Sequence, residues 1–256
     1  MPSISTMNQE LHYLTLPDRK LAYQQRNAPC QEEKRTSVFF LGGFASDMEG
    51  TKATALDQYC HETGYGYTRF DYRGHGLSEG RFEDGTLGDW LDDACQVFDR
   101  LTKGPQLVIG SSMGGWLGLL LARARPQRVA GLIGIAAAPD FTEDLIRPSM
   151  TDAQKEAYAR DGYFYESHDL NLPITKNFME ESLNHLVLRE SFKLDCPVHL
   201  IHGQRDQEVP WQTALRTAAH IGQEAVKITL VKDGDHRLSR PQDLAFLYSS
   251  LEDLMP

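Results

Sequence analysis

Six short apolar runs, most of them separated by stretches long enough for a helix, constrain the fold more than anything else in this chain. They are Val38–Leu41, Tyr67–Phe70, Leu107–Ile109, Val129–Ile135, Val198–Ile201 and Val226–Val231. The intervening helix-length stretches are Thr51–Thr63, Leu87–Leu101, Gly115–Ala124, Trp211–Ile221 and Leu244–Leu254. The middle runs are apolar without alternation, as strands buried on both faces require. Strands and helices in this order predict a doubly wound α/β fold, a mostly parallel sheet with helices on both faces. Leu11–Leu14 and Lys20–Gln24, joined by the turn residues Leu16-Pro17-Asp18-Arg19, predict an antiparallel hairpin at one sheet edge.

One stretch departs from the alternation. From about Asp140 to Leu194 no convincing strand is read, and the stretch carries helix signals of its own. Thr151-Asp152-Ala153-Gln154 fits a capping box, and Phe178, Met179, Leu183 and Leu186 fall on one helical face. The chain is therefore expected to divide into a core, residues 1–139 and 195–256, and a helical insertion, residues 140–194, over the ligand-binding end of the sheet. Tyr158, Tyr163, Phe164, Tyr165 and Phe178 either line a pocket there or are the insertion's own packing.

The third apolar run leads into Gly110-Ser111-Ser112-Met113-Gly114, and a helix-like stretch follows. A serine at the tip of a sharp strand-to-helix turn sits in a strained backbone conformation. The residues two before and two after it must then lack side chains. Gly110 and Gly114 meet that demand around Ser112, whereas the corresponding neighbours of Ser111 are Ile109 and Met113. Ser112 is thus a candidate nucleophile, with the N–H of Met113 as one donor to an oxyanion.

A serine hydroxyl is a weak nucleophile at neutral pH and needs a base and an orienting carboxylate. His236 lies in the loop after the last apolar run, and Asp206 lies in the loop after the one before it. Loops after successive parallel strands emerge at one edge of the sheet, so all three residues are expected to meet there. Glu208 and Asp235 are alternative acids.

Other features exclude rather than suggest. The formal net charge of −10 argues against nucleic acid or an anionic membrane held by a general electrostatic field. The uncharged segment Leu107 to Ala122 is too short to span a bilayer and contains four glycines. Cys30, Cys60, Cys95 and Cys196 have no C-x-x-C spacing, which fits reduced thiols in a cytosol-like compartment. Met1–Glu10 has neither a basic start nor an apolar signal core, so a cytoplasmic protein is expected. His199 and His202, three apart on a strand, point to opposite faces and do not make a metal site. Arg73-Gly74-His75-Gly76-Leu77-Ser78 reads as a turn, since no P-loop lysine follows. Neither a metal nor a cofactor is expected, and the oligomeric state is not legible.

Taken together, Asp71 to Ser78, the segment around Ser112, Gly203 to Pro210 and Asp235-His236 resemble the α/β-hydrolase superfamily in order and over nearly the full chain. More narrowly, the chain is similar to the palmitoyl-protein thioesterase and mycophenolic acid acyl-glucuronide esterase branch. Met48 to Ala53, Thr86 to Trp90, Gly104-Pro105-Gln106, Gly110 to Trp116, Val209-Pro210-Trp211 and Asp235-His236-Arg237 carry that likeness. The resemblance implies an eight-stranded core, a helical cap and the order Ser112, Asp206, His236 for a catalytic triad, favouring Asp206 over Glu208 and Asp235. It also implies that Phe44 supplies the second oxyanion N–H. Departures are Gly42-Gly43-Phe44 where Pro-Gly-aromatic is expected, and Arg73 and His75 in the glycine-rich turn.

These readings converge on a serine hydrolase of small-molecule or acyl-protein esters and thioesters. The alternatives are a small-molecule receptor that keeps the triad, a cofactor-free haloperoxidase and a carbon–carbon bond hydrolase.

Overall fold

The computed structural model describes residues 10–28, 36–165 and 172–255. Cys30 and all but the last residue of the segment Met1–Glu10 lie outside the described residues. The strands are β1 (His12–Thr15), β2 (Lys20–Arg26), β3 (Ser37–Leu41), β4 (Tyr67–Phe70), β5 (Gln106–Ser111), β6 (Val129–Ile135), β7 (Tyr163–Tyr165), β8 (Pro173–Thr175), β9 (Val198–Gly203) and β10 (Val226–Val231). The helices are α1 (Thr51–Thr63), α2 (Leu87–Leu101), α3 (Met113–Ala124), α4 (Arg147–Ser149), α5 (Asp152–Asp161), α6 (Lys176–Glu181), α7 (Gln212–His220) and α8 (Pro241–Leu254).

Eight strands form one sheet in the order β1-β2-β4-β3-β5-β6-β9-β10. Every pair from β4 to β10 is parallel, while β1 and β2 form the expected antiparallel hairpin at the edge. The chain reverses at Leu16, whose N–H donates to the Arg19 carbonyl at 2.8 Å. The order changes direction at β3 and β5, so the loops after these strands flank a crevice at their carboxyl ends.

The unbroken apolar runs are explained by burial on both faces. Along β3, Phe39 and Leu41 join one core cluster, and Val38 and Phe40 join the other. The first cluster takes Trp90, Val97 and Phe98 of α2 together with Trp116 and Leu117 of α3. The second takes Leu56 and Cys60 of α1 with Leu247 and Leu251 of α8. Each fully buried large aliphatic or aromatic side chain contributes about 1.5–3 kcal/mol, so both faces must be covered for the sheet to stand.

Between β6 and β9 the chain leaves the large sheet. The Thr151 capping box is present, with Thr151 Oγ1 accepting from Gln154 N–H at 3.2 Å and Gln154 Oε1 accepting from Thr151 N–H at 2.9 Å. Two expectations fail here. The stretch is not free of strands, because β7 and β8 pair antiparallel with Phe164 opposite Ile174, both buried. Each strand has three residues, too few for an alternating signal, and Pro173 at the start of β8 masks it further. The helical face of Phe178, Met179, Leu183 and Leu186 is also interrupted. α6 stops at Glu181 and Ser182–His185 tighten into a 3-10 turn, which rotates Leu183 out to 38% exposure. Buried Ser182 drives the tightening: its Oγ donates to the Met179 carbonyl at 2.8 Å and lies 2.8 Å from Thr142 Oγ1.

Candidate active site

Ser112 joins β5 to α3 with φ 54° and ψ −119°, a left-handed conformation that a non-glycine residue holds at a cost of about 1–3 kcal/mol. The two flanking glycines make it possible. A Cβ on Gly110 would lie 2.2 Å from the Gly114 carbonyl oxygen, and one on Gly114 would lie 2.2 Å from that of Leu41. Because the obstacle is backbone in both cases, Gly110→Ala and Gly114→Ala are each expected to cost about 3 kcal/mol or more, read as a lowered denaturation midpoint. An unchanged midpoint would contradict the packing.

The loops after β9 and β10 are held side by side. Arg205 N–H donates to the Gly234 carbonyl and Gln204 N–H to that of Val231, each at 2.8 Å. His236 bridges the hydroxyl and the carboxylate. Its Nδ1 lies 2.8 Å from Asp206 Oδ2, and its Nε2 lies 3.1 Å from Ser112 Oγ. A carboxylate only accepts, so Nδ1 carries the proton and Nε2 is left bare to receive the serine O–H. The competing acids are placed differently. Asp235 Oδ1 accepts from Leu238 N–H at 2.9 Å, and Glu208, 68% exposed, stands 3.5 Å from the Nε2 side of the ring.

The Asp206 side chain is fully enclosed and tightly held. Its Oδ1 accepts from the N–H groups of Glu208 and Val209 at 2.9 and 2.8 Å, and its Oδ2 accepts from His202 Nε2 at 3.0 Å. Burial alone would raise its pKa, yet the hydrogen bonds from His202, His236 and Val209 outweigh it and hold the carboxyl well below the usual range. His202 is the site residue that the sequence reading missed. Its four-residue offset from Asp206, at the end of a strand, was the available signal. His199 goes elsewhere, 2.9 Å from Thr229 Oγ1, and among the described residues no cluster of metal-ligating side chains occurs.

The loop after β3 passes close over the serine: a Cβ on Gly43 would lie 3.4 Å from Ser112 Cβ. Among the described residues neither the Phe44 N–H nor the Met113 N–H donates a hydrogen bond. The Phe44 ring packs against Phe82, Trp90, Phe141 and Phe178, with centroids 4.9 to 5.9 Å apart. Of the aromatics named from the sequence, Phe178 therefore reaches the site. Tyr158 and Phe164 pack on each other, and Tyr163 and Tyr165 are exposed. Lys52, also missed, donates to the Arg237 carbonyl beside His236, and burial pushes its ammonium down to about 8.

Arg73 to Ser78 is a turn, as expected, and Asp71 ties it down. Asp71 Oδ1 accepts from Met48 N–H and Oδ2 from Leu77 N–H, at 2.7 and 2.8 Å, and Ser78 Oγ donates to the Asp71 carbonyl. Cys60, Cys95 and Cys196 are free thiols; burial pushes Cys60 up to about 12 and Cys196 to about 11, which leaves both unreactive. Among the described residues no helix is long and apolar enough to cross a membrane.

A family model described as Serine aminopeptidase, S33 matches residues 32–159. The mouse protein named "Palmitoyl-protein thioesterase ABHD10, mitochondrial" is 36% identical over 87% of this chain and 76% of its own. The chain belongs to the α/β-hydrolase family. This α/β-hydrolase is an enzyme, and its human relative of the same name is 34% identical over 96% of this chain and 80% of its own. Among solved structures, a protein from Agrobacterium vitis S4 superimposes with a TM-score of 0.91 at 39% identity, covering 97% of this chain and all of the other. Mouse alpha/beta hydrolase domain-containing protein 10 superimposes with a TM-score of 0.87 at 33% identity, covering 96% and 98%.

Proposed function

We propose that this α/β-hydrolase cleaves carboxylic esters or acyl thioesters through an acyl-enzyme on Ser112. The observation that carries the reading is His236 lying within hydrogen-bond reach of Ser112 Oγ and Asp206 Oδ2 at once. Ser112 Oγ attacks the acyl carbon as its proton passes to His236 Nε2. The resulting oxyanion takes hydrogen bonds from the Met113 and Phe44 N–H groups, each worth roughly 3 kcal/mol in the transition state. Collapse of the intermediate expels an alkoxide or thiolate, which leaves with the proton from Nε2. Water then repeats the sequence on the acyl-enzyme, giving up its proton to Nε2 and releasing the acid and the Ser112 hydroxyl.

Acyl-protein thioesters are the substrate class that the mouse and human relatives' printed names favour. Residues 140–194 act as a cap, a role supported by the packing of Phe141 and Phe178 against Phe44. The free thiols favour a reducing compartment such as the cytoplasm, while the word mitochondrial belongs to the relatives' names.

A fluorophosphonate probe tests the assignment directly. It is expected to add one mass increment to the wild-type protein and none to Ser112→Ala. Equal labelling of the two proteins would refute Ser112 as nucleophile, and labelling without turnover of p-nitrophenyl esters or acyl thioesters would favour the receptor reading.

A further inference from the structure

We propose that His75 is a positioning residue for the oxyanion loop: its Nε2 accepts the Ala45 N–H and so fixes the peptide plane that follows Phe44. The role rests on the hydrolytic reading of Ser112. His75 sits in the glycine-rich turn after β4, far along the chain from the loop it touches, and is 4% exposed. Its ring packs edge-on against Tyr72, Phe82 and Trp90, with centroids 5.5, 5.0 and 5.0 Å away.

Two backbone groups dictate its tautomer. Nδ1 faces the Arg73 carbonyl at 3.2 Å, which only accepts, so Nδ1 carries the hydrogen. Nε2 faces the Ala45 N–H at 3.3 Å, which only donates, so Nε2 is bare. A second proton would set N–H against N–H. Burial reinforces the neutral form, holding the imidazole down at about 4.

The contact matters because of what lies on each side of Phe44. A peptide unit is planar, so fixing one of its atoms fixes its N–H and carbonyl together. The unit before Phe44 contains both the Gly43 carbonyl and the Phe44 N–H. Ser46 holds that carbonyl, donating from N at 3.3 Å and from Oγ at 2.8 Å, and thereby turns the Phe44 N–H the other way. The unit after Phe44 contains the Ala45 N–H, held by His75. Ala45 itself has φ 57°, a conformation that alanine leaves readily when nothing holds it. With both units anchored, Phe44 can present its N–H without rearranging during the reaction, which is where such a donor gains its advantage.

His75→Phe keeps an aromatic ring in the cluster and removes the acceptor, while His75→Gln offers an amide oxygen near the Nε2 position. In His75→Phe, kcat is expected to fall about tenfold with KM changed less than about twofold, a smaller effect than deleting the donor itself. His75→Gln is expected to recover to within about threefold of wild type. Hydrogen exchange at the Ala45 amide, which does not depend on turnover, is expected to speed up about tenfold or more in His75→Phe. Unchanged exchange would overturn the contact. Faster exchange with unchanged kcat, or equal losses in the two variants, would overturn the positioning role. Undiminished turnover by Ser112→Ala would instead remove the hydrolytic reading while the exchange rates still decide whether His75 holds the loop.

Discussion

Ser112→Ala is expected to lower turnover of a p-nitrophenyl ester by about 10⁶-fold while leaving the fold intact. Among the described residues the hydroxyl makes a single hydrogen bond, to His236 Nε2 at 3.1 Å. The backbone geometry at this strand-to-helix turn depends instead on the two glycines and on the Ser112 N–H, which donates to the Ile135 carbonyl at 2.9 Å. Alanine preserves that backbone bond and tolerates φ 54° about as poorly as serine does, so stability should shift by less than about 1 kcal/mol. What disappears is the covalent route. The remaining catalysis comes from orientation and the oxyanion donors, roughly 10³–10⁴ over water in serine hydrolases stripped of the triad. Steady-state kinetics together with a thermal melt separate the two effects. A loss below about a hundredfold would mean that another group attacks the acyl carbon.

The same strand-to-helix turn explains why so much of the candidate site was legible. Gly110 and Gly114 carry a steric requirement that can be read two residues at a time, and the structure shows the backbone oxygens that impose it. Parallel topology then brings the loops after β9 and β10 to the edge where β5 ends, because parallel strands finish on the same side. That logic located Asp206 and His236 but did not choose among Asp206, Glu208 and Asp235 without a family comparison. In the structure the loop curls so that two of its own N–H groups meet Asp206 Oδ1 and Oδ2 faces His236 Nδ1.

What was not legible depends on contacts between distant residues. The order in which β4 precedes β3 in the sheet leaves no trace in the apolar runs, since each run looks the same whichever neighbour it pairs with. In the sequence His202 suggests at most a metal ligand, and its actual partner lies in a loop whose shape the sequence does not specify. In the sequence Phe178 is one of five aromatics that could line a pocket, and its proximity to Phe44 needs α6 to be docked first. The short pairing of β7 with β8 falls below any periodicity that a strand reading can use. Local steric rules survive translation into sequence, and tertiary partners do not.

Asp206→Asn is expected to cost about 10⁴-fold in kcat, more than a simple loss of charge would predict, because it reverses a proton arrangement. The Oδ1 side accepts two backbone N–H groups, so asparagine must keep its oxygen there and turn its NH₂ toward His236 and His202. An NH₂ facing Nδ1 favours the tautomer that bears its hydrogen on Nε2, and that hydrogen then points at Ser112 instead of receiving one. His202 loses an acceptor but retains the Val209 carbonyl at 3.0 Å, which limits the structural damage. The stability difference between the two proteins has a defined pH dependence. The folded Asp206 carboxyl lies below its unfolded value of about 3.9, so its contribution is fully present above about pH 5 and declines as pH falls below 4 toward the depressed folded value. Urea midpoints measured from pH 7 to pH 3 should therefore run parallel for wild type and Asp206→Asn at the upper end and converge at the lower. A gap that stays constant down to pH 3 would mean that the carboxylate is not held by its hydrogen bonds, and a kcat within tenfold of wild type would mean that Asp206 does not set the imidazole tautomer.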